Sequence, residues 1–177
     1  MTAAYEYARA LFMLSEEERT TEKVYADLCV ARSAFVQNPD YARLLDTPAV
    51  SKAERLGLID KAFSALDSSL VNLIKILAEK RLSYIFPALA DEYSALYDEA
   101  RGILRADAIS AIPLTEEQAE RLKKKLSSLT GKTVVLKCST DKSILGGVKL
   151  RYSGTQLDGS VKTRLEKFED ALKATVV

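Results

Sequence analysis

With 177 residues, 47% of them apolar, the chain is long enough for one domain of ordinary size or two small ones and has enough apolar side chain to fill a core. Lysine and arginine number 26 against 25 aspartates and glutamates, a balance too even for a protein that holds nucleic acid by neutralising phosphates. Histidine is absent, which removes the commonest general base, the Ser-His and Cys-His nucleophile pairs and the commonest metal ligand. Cys29 and Cys138 match no metal-ligand spacing and build no disulfide framework, so they are expected as two small buried apolar side chains in a reducing compartment. The first residues lack a basic stretch followed by an apolar core, so no secretory signal is expected. The apolar window at residues 70–77 is interrupted by polar residues and falls well short of the ~20 needed to span a bilayer.

Residues 3 to about 101 read as helix after helix. The first carries Tyr7, Leu11 and Leu14 at helical spacing and ends in Ser15-Glu16-Glu17-Glu18, a run expected on a solvated face or loop. A second carries Val24, Leu28, Ala31 and Phe35 and stops near Asn38-Pro39, where Pro39 can open a short third helix with Tyr41, Leu44 and Leu45. Thr47-Pro48 breaks that one. Ser51 and Glu54 have the spacing of a capping box, opening a fourth helix through Leu58, Ile59 and Phe63. Asp67-Ser68-Ser69 starts a fifth, with Leu70, Leu73, Ile74 and Leu77 on one side, and a sixth runs from Phe86-Pro87 to about Arg101, burying Leu89, Tyr93 and Leu96. Several of these are too short to be stable alone and must pack on one another as a bundle.

The pattern changes near Gly102. Residues 103–112 are β-compatible and end at Pro113; Thr115 and Gln118 form another capping box, and Ala119, Leu122, Leu126 and Leu129 make the inner stripe of the helix that follows. Gly131 ends it, and Thr133 to Cys138 is a strand. Val148, Leu150 and Tyr152 alternate with Lys149 and Arg151 as a further strand; Ser153-Gly154 turns, Leu157 ends a fourth strand, and Asp158 or Ser160 caps a helix with Val161, Leu165, Phe168 and Leu172. The expected architecture is mostly α, an N-terminal six-helix bundle over residues 1–101 and a small α+β domain over 102–177 in β-α-β-β-β-α order.

No stretch carries a catalytic constellation. Gly131-Lys132-Thr133 lacks the Gly five residues earlier that a phosphate loop needs, since position 126 is Leu, and it closes a helix instead of opening one. Ser139-Thr140-Asp141-Lys142 has Ser-x-x-Lys spacing without the companion motifs and reads as a loop with a turn. Gly146-Gly147 lacks the third Gly of a dinucleotide fingerprint and reads as a bend at a strand start. Lys123-Lys124-Lys125 reads as a solvated helix face, with a small anion- or RNA-binding protein as the alternative. Neither cofactor nor metal is expected, and surfaces are left as the candidate sites: a bundle of short amphipathic helices can leave an apolar groove that receives a partner's helix.

The order of several short motifs resembles the delta subunit of F-type ATP synthases, the relative of the mitochondrial oligomycin-sensitivity conferral protein. Tyr7-Ala8-Arg9-Ala10-Leu11 is similar to the family's Tyr-Ala-x-Ala-Leu opening, Leu45-Asp46-Thr47-Pro48 with Lys52 to its Leu-x-x-Pro…Lys segment, and Asn72 to Leu82 to its fifth helix. Ala108 to Thr115 resembles its Val-x-Ser-Ala-x-Pro-Leu-Ser junction, and Gly146-Gly147 followed by Asp158-Gly159-Ser160-Val161 its C-terminal signature. Leu73 stands where Phe is usual, Leu145 where Ile is common, and Arg81 directly follows Lys80. The resemblance implies a non-catalytic stator subunit of a proton-translocating, membrane-bound complex, peripheral at the cytoplasmic face of a bacterial plasma membrane, with the stromal face of a chloroplast thylakoid as the alternative. It further implies that residues 1–101 bind the N-terminal helices of alpha subunits in a groove involving Tyr7, Ala8 and Leu11 with Ile74, Leu77 and Ala78. Residues 102–177 would hold the b-type stalk subunits, with Gly146, Gly147, Val148, Asp158, Gly159, Ser160 and Val161 as the frame of that domain.

Overall fold

The computed structural model describes residues 2–144, 146–152 and 155–158. The chain divides into two compact units, one ending at Tyr97 and one beginning at Asp98. It is mostly helical, with a small four-stranded sheet.

In the first unit the helices are α1 (Ala3–Glu17), α2 (Thr21–Gln37), α3 (Pro39–Asp46), α4 (Lys52–Phe63) and α5 (Ser68–Glu79), then a 3-10 turn (Ser83–Ile85) and α6 (Phe86–Ala100) up to Tyr97, its last residues counting with the second unit. The starts of α4 and α5 carry the capping residues read in the sequence. Ser51 Oγ accepts the Glu54 N–H while Glu54 accepts the Ser51 N–H, and Asp67 accepts the Ser69 N–H at the head of α5. Each helix contributes one stripe to a common core: Val24, Leu28, Ala31 and Phe35 from α2, Ile59 and Phe63 from α4, and Phe86, Leu89 and Tyr93 from α6 are all buried. Phe35 stacks on Phe86 with ring centres 4.5 Å apart.

The stripe of α1 differs from expectation. Ala4, Ala8, Leu11, Phe12 and Ser15 face inward, whereas Leu14 is 41% exposed. The stripe is centred on the alanines, whose small side chains let α1 lie close to its neighbours, and this rotates Leu14 outward. Leu44 is likewise 42% exposed, because Leu45 alone fills the inward position of the short α3. Ser15, expected with the solvated acidic run, is fully buried: its hydroxyl donates to the Phe12 carbonyl at 2.8 Å and lies 2.8 Å from the Tyr93 hydroxyl. With its one hydrogen committed to Phe12, Ser15 accepts from Tyr93. Burial pushes the Tyr93 phenol above its ordinary pKa, which keeps it protonated as the donor.

The second unit holds β1 (Ile103–Ser110), α7 (Glu116–Thr130), β2 (Thr133–Thr140), β3 (Val148–Tyr152) and β4 (Thr155–Asp158), in sheet order β2-β1-β3-β4. β1 and β2 run parallel with Leu104 opposite Val134, as a helical crossover permits; β1 with β3 and β3 with β4 run antiparallel. Buried Leu104, Ala106 and Val134 meet Leu126 of α7, with Leu122, Leu136, Leu150 and Tyr152 packed around them. Thr115 and Gln118 cap α7 reciprocally, and Gly131, at φ 68°, ends it in the left-handed conformation that glycine adopts without strain.

Three expectations for this part of the chain are corrected. Leu129 is 74% exposed: the inner stripe passes from Leu126 to the half-buried Thr130, whose hydroxyl bonds the Leu126 carbonyl. Ser139 and Thr140 belong to β2, and the turn begins only at Asp141, which accepts the Ser143 N–H. Cys138 is exposed, since β2 emerges from the cover of α7 after Leu136; Cys29 is exposed too, one step round α2 from the buried Leu28. The Ser153-Gly154 turn and the helix expected after Ser160 lie outside the described residues, and Asp158 is the last residue of β4, paired with Lys149.

The Ser15–Tyr93 bond has an asymmetric energetic signature. Tyr93→Phe leaves Ser15 its bond to Phe12 and is expected to cost about 1 kcal/mol, whereas Ser15→Ala strands a buried phenol and is expected to cost about 2–3 kcal/mol. Urea denaturation of the two full-length variants measures the order.

Candidate functional site

Among the described residues no group of three or more His, Cys, Asp or Glu is placed to hold a metal, and no helix is long and apolar enough to cross a membrane. What the sequence placed in an α1–α5 groove is brought together by the structure, but chiefly in the core. Ala8, Leu11, Ile74, Leu77 and Ala78 are all buried, and Tyr7 is half-buried. Their apolar atoms are already covered by the first unit itself.

The accessible part of that face can be located from the way α5 is held. At its head Asp67 is 6% exposed; its N–H donates to Asp27 Oδ2 at 2.8 Å and its Oδ2 accepts from Lys23 Nζ at 3.2 Å. Both partners lie on the first half of α2, which starts directly after the turn that ends α1. At the tail of α5 the Lys80 ammonium lies 5.8 Å from the centre of the Tyr7 ring. α5 therefore begins beside the C-terminal end of α1 and finishes beside its N-terminal half, antiparallel to it. Tyr7 and Leu14 share one stripe of α1, which the capping residue Glu18 continues, and Leu73 and Ile76 share one stripe of α5, which the capping residue Lys80 continues, by helical spacing. The Lys80–Tyr7 contact puts these stripes on the same side of the α1–α5 pair, and with Leu14 at 41% and Ile76 at 45% exposure we read them as a partly open apolar seam. Spacing places Leu14 inside, whereas the structure leaves it open, and Ile76 belongs to no stripe named from the sequence. The signal that could have found Ile76 is its third-residue spacing from Leu73 on the side of α5 away from Val71 and Ala78.

The helices beneath the seam are pinned by backbone contacts. Arg55 of α4 donates through Nη1 to the carbonyls of Leu45 (3.3 Å) and Ala78 (3.0 Å), placing its charge at the negative ends of α3 and α5. Asp46 accepts the N–H groups of Ser83 (2.9 Å) and Tyr84 (3.2 Å), fixing the turn that follows α5. Lys52–Glu79 and Lys75–Asp60 ion pairs tie α4 to α5. The tail of α5 closes with Arg81 in the left-handed region at φ 59°, its N–H on the Ala78 carbonyl and the Leu82 N–H on the Leu77 carbonyl. Glycine is the usual occupant of that position.

Away from the seam, a concavity of about 650 Å3 lies where α2, α3 and α4 meet, lined among others by Ala34, Pro39, Tyr41, Leu44 and Phe63. In the second unit Gly147 adopts φ 89°, which suits glycine alone, and aims the chain into β3, where half-buried Val148 pairs with Ser110. Gly146 is half-buried beside it; Gly159, Ser160 and Val161 lie outside the described residues. Lys124 and Lys125 are exposed on α7, and Lys123 is half-buried with its ammonium 3.5 Å from Glu120.

These features define a class: a mostly helical chain with a small four-stranded sheet, whose candidate site is an apolar seam between two helices. A family model described as ATP synthase delta (OSCP) subunit matches residues 3–172. The ATP synthase subunit delta of Clostridioides difficile (strain 630) is 36% identical over 176 residues, spanning 98% of this chain and 97% of the relative. That of Anaeromyxobacter dehalogenans (strain 2CP-C) is 37% identical over 173 residues, spanning 96% of each. In fold, a chain of the Toxoplasma gondii mitochondrial ATP synthase hexamer superimposes with a TM-score of 0.75 over 97% of this chain and 98% of its own, at 24% identity. The chain belongs to the ATP synthase delta (OSCP) subunit family.

Two outcomes follow for the seam's framework. Burial alone would raise the Asp67 carboxyl, but the hydrogen bonds from Ser69 and the Lys23 ammonium outweigh it and hold the group below its usual pKa. A depressed folded-state pKa contributes stability above the unfolded value of about 3.9 and loses it as pH falls through the folded value. Asp67→Asn, compared with the parent chain by urea denaturation, should therefore show a constant deficit above about pH 5 that closes below about pH 4. Arg81→Gly should raise stability by about 0.5–1 kcal/mol by relieving the left-handed residue.

Proposed function

We propose that this chain is the non-catalytic stator subunit of a proton-translocating F-type ATP synthase, joining the catalytic head to the peripheral stalk. The observation that carries the reading is the family match from residue 3 to residue 172, with bacterial relatives named ATP synthase subunit delta along nearly their whole length. In this reading residues 1–101 form a six-helix bundle that sits on the head, and residues 102–177 form the stalk-binding domain in β-α-β-β-β-α order. The chain works at the cytoplasmic face of a bacterial plasma membrane, held there by its partners. The alpha subunit's N-terminal helix lies along the α1–α5 seam. It touches Tyr7, Leu14, Leu73 and Ile76, above a floor of Ala8, Leu11, Ile74, Leu77 and Ala78. The b-type subunits engage the region from Gly146 to Val161.

The mechanism is mechanical. A head free to turn with the rotor would convert no proton flow into conformational work, so the subunit must hold the head still under torque. A nanomolar contact amounts to about 12 kcal/mol. Sharing the load between two interfaces keeps a detached one at high effective concentration until it rebinds. A floor made of core residues suits this task, because a partner pulling on the seam pulls on the packed interior and not on a loop. The reading of Lys123 to Lys125 as an anion or RNA site is not favoured: Lys123 faces Glu120, and Arg121 pairs with Glu117 beside it.

Purification of the tagged full chain from its own cell should bring alpha and b-type subunits with it, and the absence of both would overturn the assignment. Ile76→Asp, an exposed change that spares the core, should weaken binding of an alpha-subunit N-terminal peptide by about tenfold or more, measured by titration calorimetry.

A further inference from the structure

In the sheet of the second unit β2 is an outer strand: among the described residues its one neighbouring strand is β1. The Thr133 N–H donates to the Gly102 carbonyl at 2.8 Å, and the Asp141 N–H to the Ser110 carbonyl at 2.9 Å. Along a strand in a parallel ladder, backbone groups turn alternately toward the partner and away from it. Thr133 and Asp141 face β1, and so do the alternate residues between them, Val135, Lys137 and Ser139. Val134, Leu136, Cys138 and Thr140 therefore turn their N–H and carbonyl groups to the open side. Val135 and residues 137–142 are exposed. Side chains alternate as well: Val134 and Leu136 pack with Leu126 of α7, whereas Val135 and Lys137 emerge on the opposite face. Cations accompany the strand, with Lys132 before it, Lys137 within it and Lys142 just beyond it. Of the acidic groups nearby, Asp107 lies between Lys137 on one side and Arg151 of β3 on the other, and Asp141 accepts the Ser143 N–H.

A row of unpaired backbone groups is a template for one more strand, and lysine on such an edge guards against the wrong one. Two copies of β2 laid side by side would bring lysine near lysine, so a second copy of this chain is repelled, while a segment carrying carboxylates is attracted. The geometry points to the open side of β2 as a docking edge for an extended acidic segment of a partner protein, which joins the sheet as an added strand. The backbone of that segment bonds to Val134, Leu136, Cys138 and Thr140. Its apolar side chains lie on the α7 face beside Leu136, and its carboxylates lie on the opposite face beside Lys137. A partner of this kind alternates apolar and acidic residues over the 8 residues of β2. The inference goes beyond the proposed stalk contact. β2 and β4 are the two outer strands of the sheet, at opposite edges, so the edge stands whether or not b-type subunits engage the region from Gly146 to Val161.

The test uses the full chain, 15N-labelled, and a capped peptide of the length of β2 that alternates valine with glutamate; its counterpart alternates valine with lysine. The glutamate peptide should slow amide hydrogen exchange at Leu136, Cys138 and Thr140 and leave Val135, Lys137 and Ser139, already bonded to β1, unchanged. Slowing at neither set, or at both alike, overturns the inference. Cys138→Pro removes an open-side donor without breaking a bond to β1 and should weaken the glutamate peptide about tenfold, whereas Cys138→Ala keeps the donor and should bind like the parent chain. Equal binding by the two variants overturns the added strand; if the proline variant does not fold, the exchange pattern of the parent chain decides. Lys137→Glu should cut the preference for the glutamate peptide over the lysine peptide, with the difference shrinking as salt rises, and an unchanged preference removes the acidic partner. Slowing of the same amides in the peptide-free chain as its concentration rises makes a second copy the occupant and overturns the charge argument.

Discussion

The helical unit depends on the burial of α5. Leu70, Val71, Leu73, Ile74, Leu77 and Ala78 are buried on a helix of 12 residues, so α5 is covered on every side but one. It packs against α1, α2, α3, α4 and the 3-10 turn. Such a helix contributes most of its stability through packing, since a segment this short is marginal by itself. Its ends are therefore held by polar contacts placed where backbone groups would otherwise be orphaned: Asp67 at the head, and Arg55 on the Ala78 carbonyl at the tail. The Asp67 contacts to α2 at the head and the Lys80–Tyr7 contact at the tail set the direction of α5 against α1.

That open strip is a consequence of the core. Because alanines carry the inner stripe of α1, Leu14 is turned outward; because α5 is packed on its other sides, Ile76 is the apolar residue left facing out near it. A surface formed in this way is rigid, since deforming it would mean opening a close-packed interior.

Much of the architecture was legible because it is written in local signals. Ser51 with Glu54, Thr115 with Gln118, Asp67, Pro39 and Gly131 punctuate the chain by satisfying or removing backbone groups within a few residues, and such chemistry needs no tertiary context. The period-2 run of Val148, Leu150 and Tyr152 likewise marked β3. What was misread was the facing of residues near the edge of a stripe. Leu14 and Leu129 fit an inner stripe by spacing, and Cys29 and Cys138 fit the interior by residue type, yet all four are exposed. Periodicity defines a stripe to within about one residue, and only the neighbour that covers it decides which edge is wet.

The sequence by itself determined the mostly helical class with a small sheet, several helix starts and the family, because each follows from short-range pattern and motif order. The tertiary structure alone decided that five of the six expected groove residues, Ala8, Leu11, Ile74, Leu77 and Ala78, are core, that Leu14 and Ile76 are open, and that Ser15 serves Tyr93. It also brought Lys80 to Tyr7 and Lys23 to Asp67 across long stretches of chain. The physical reason is that burial and helix direction are properties of pairs of elements, and a single helix's spacing carries no information about which neighbour will cover it.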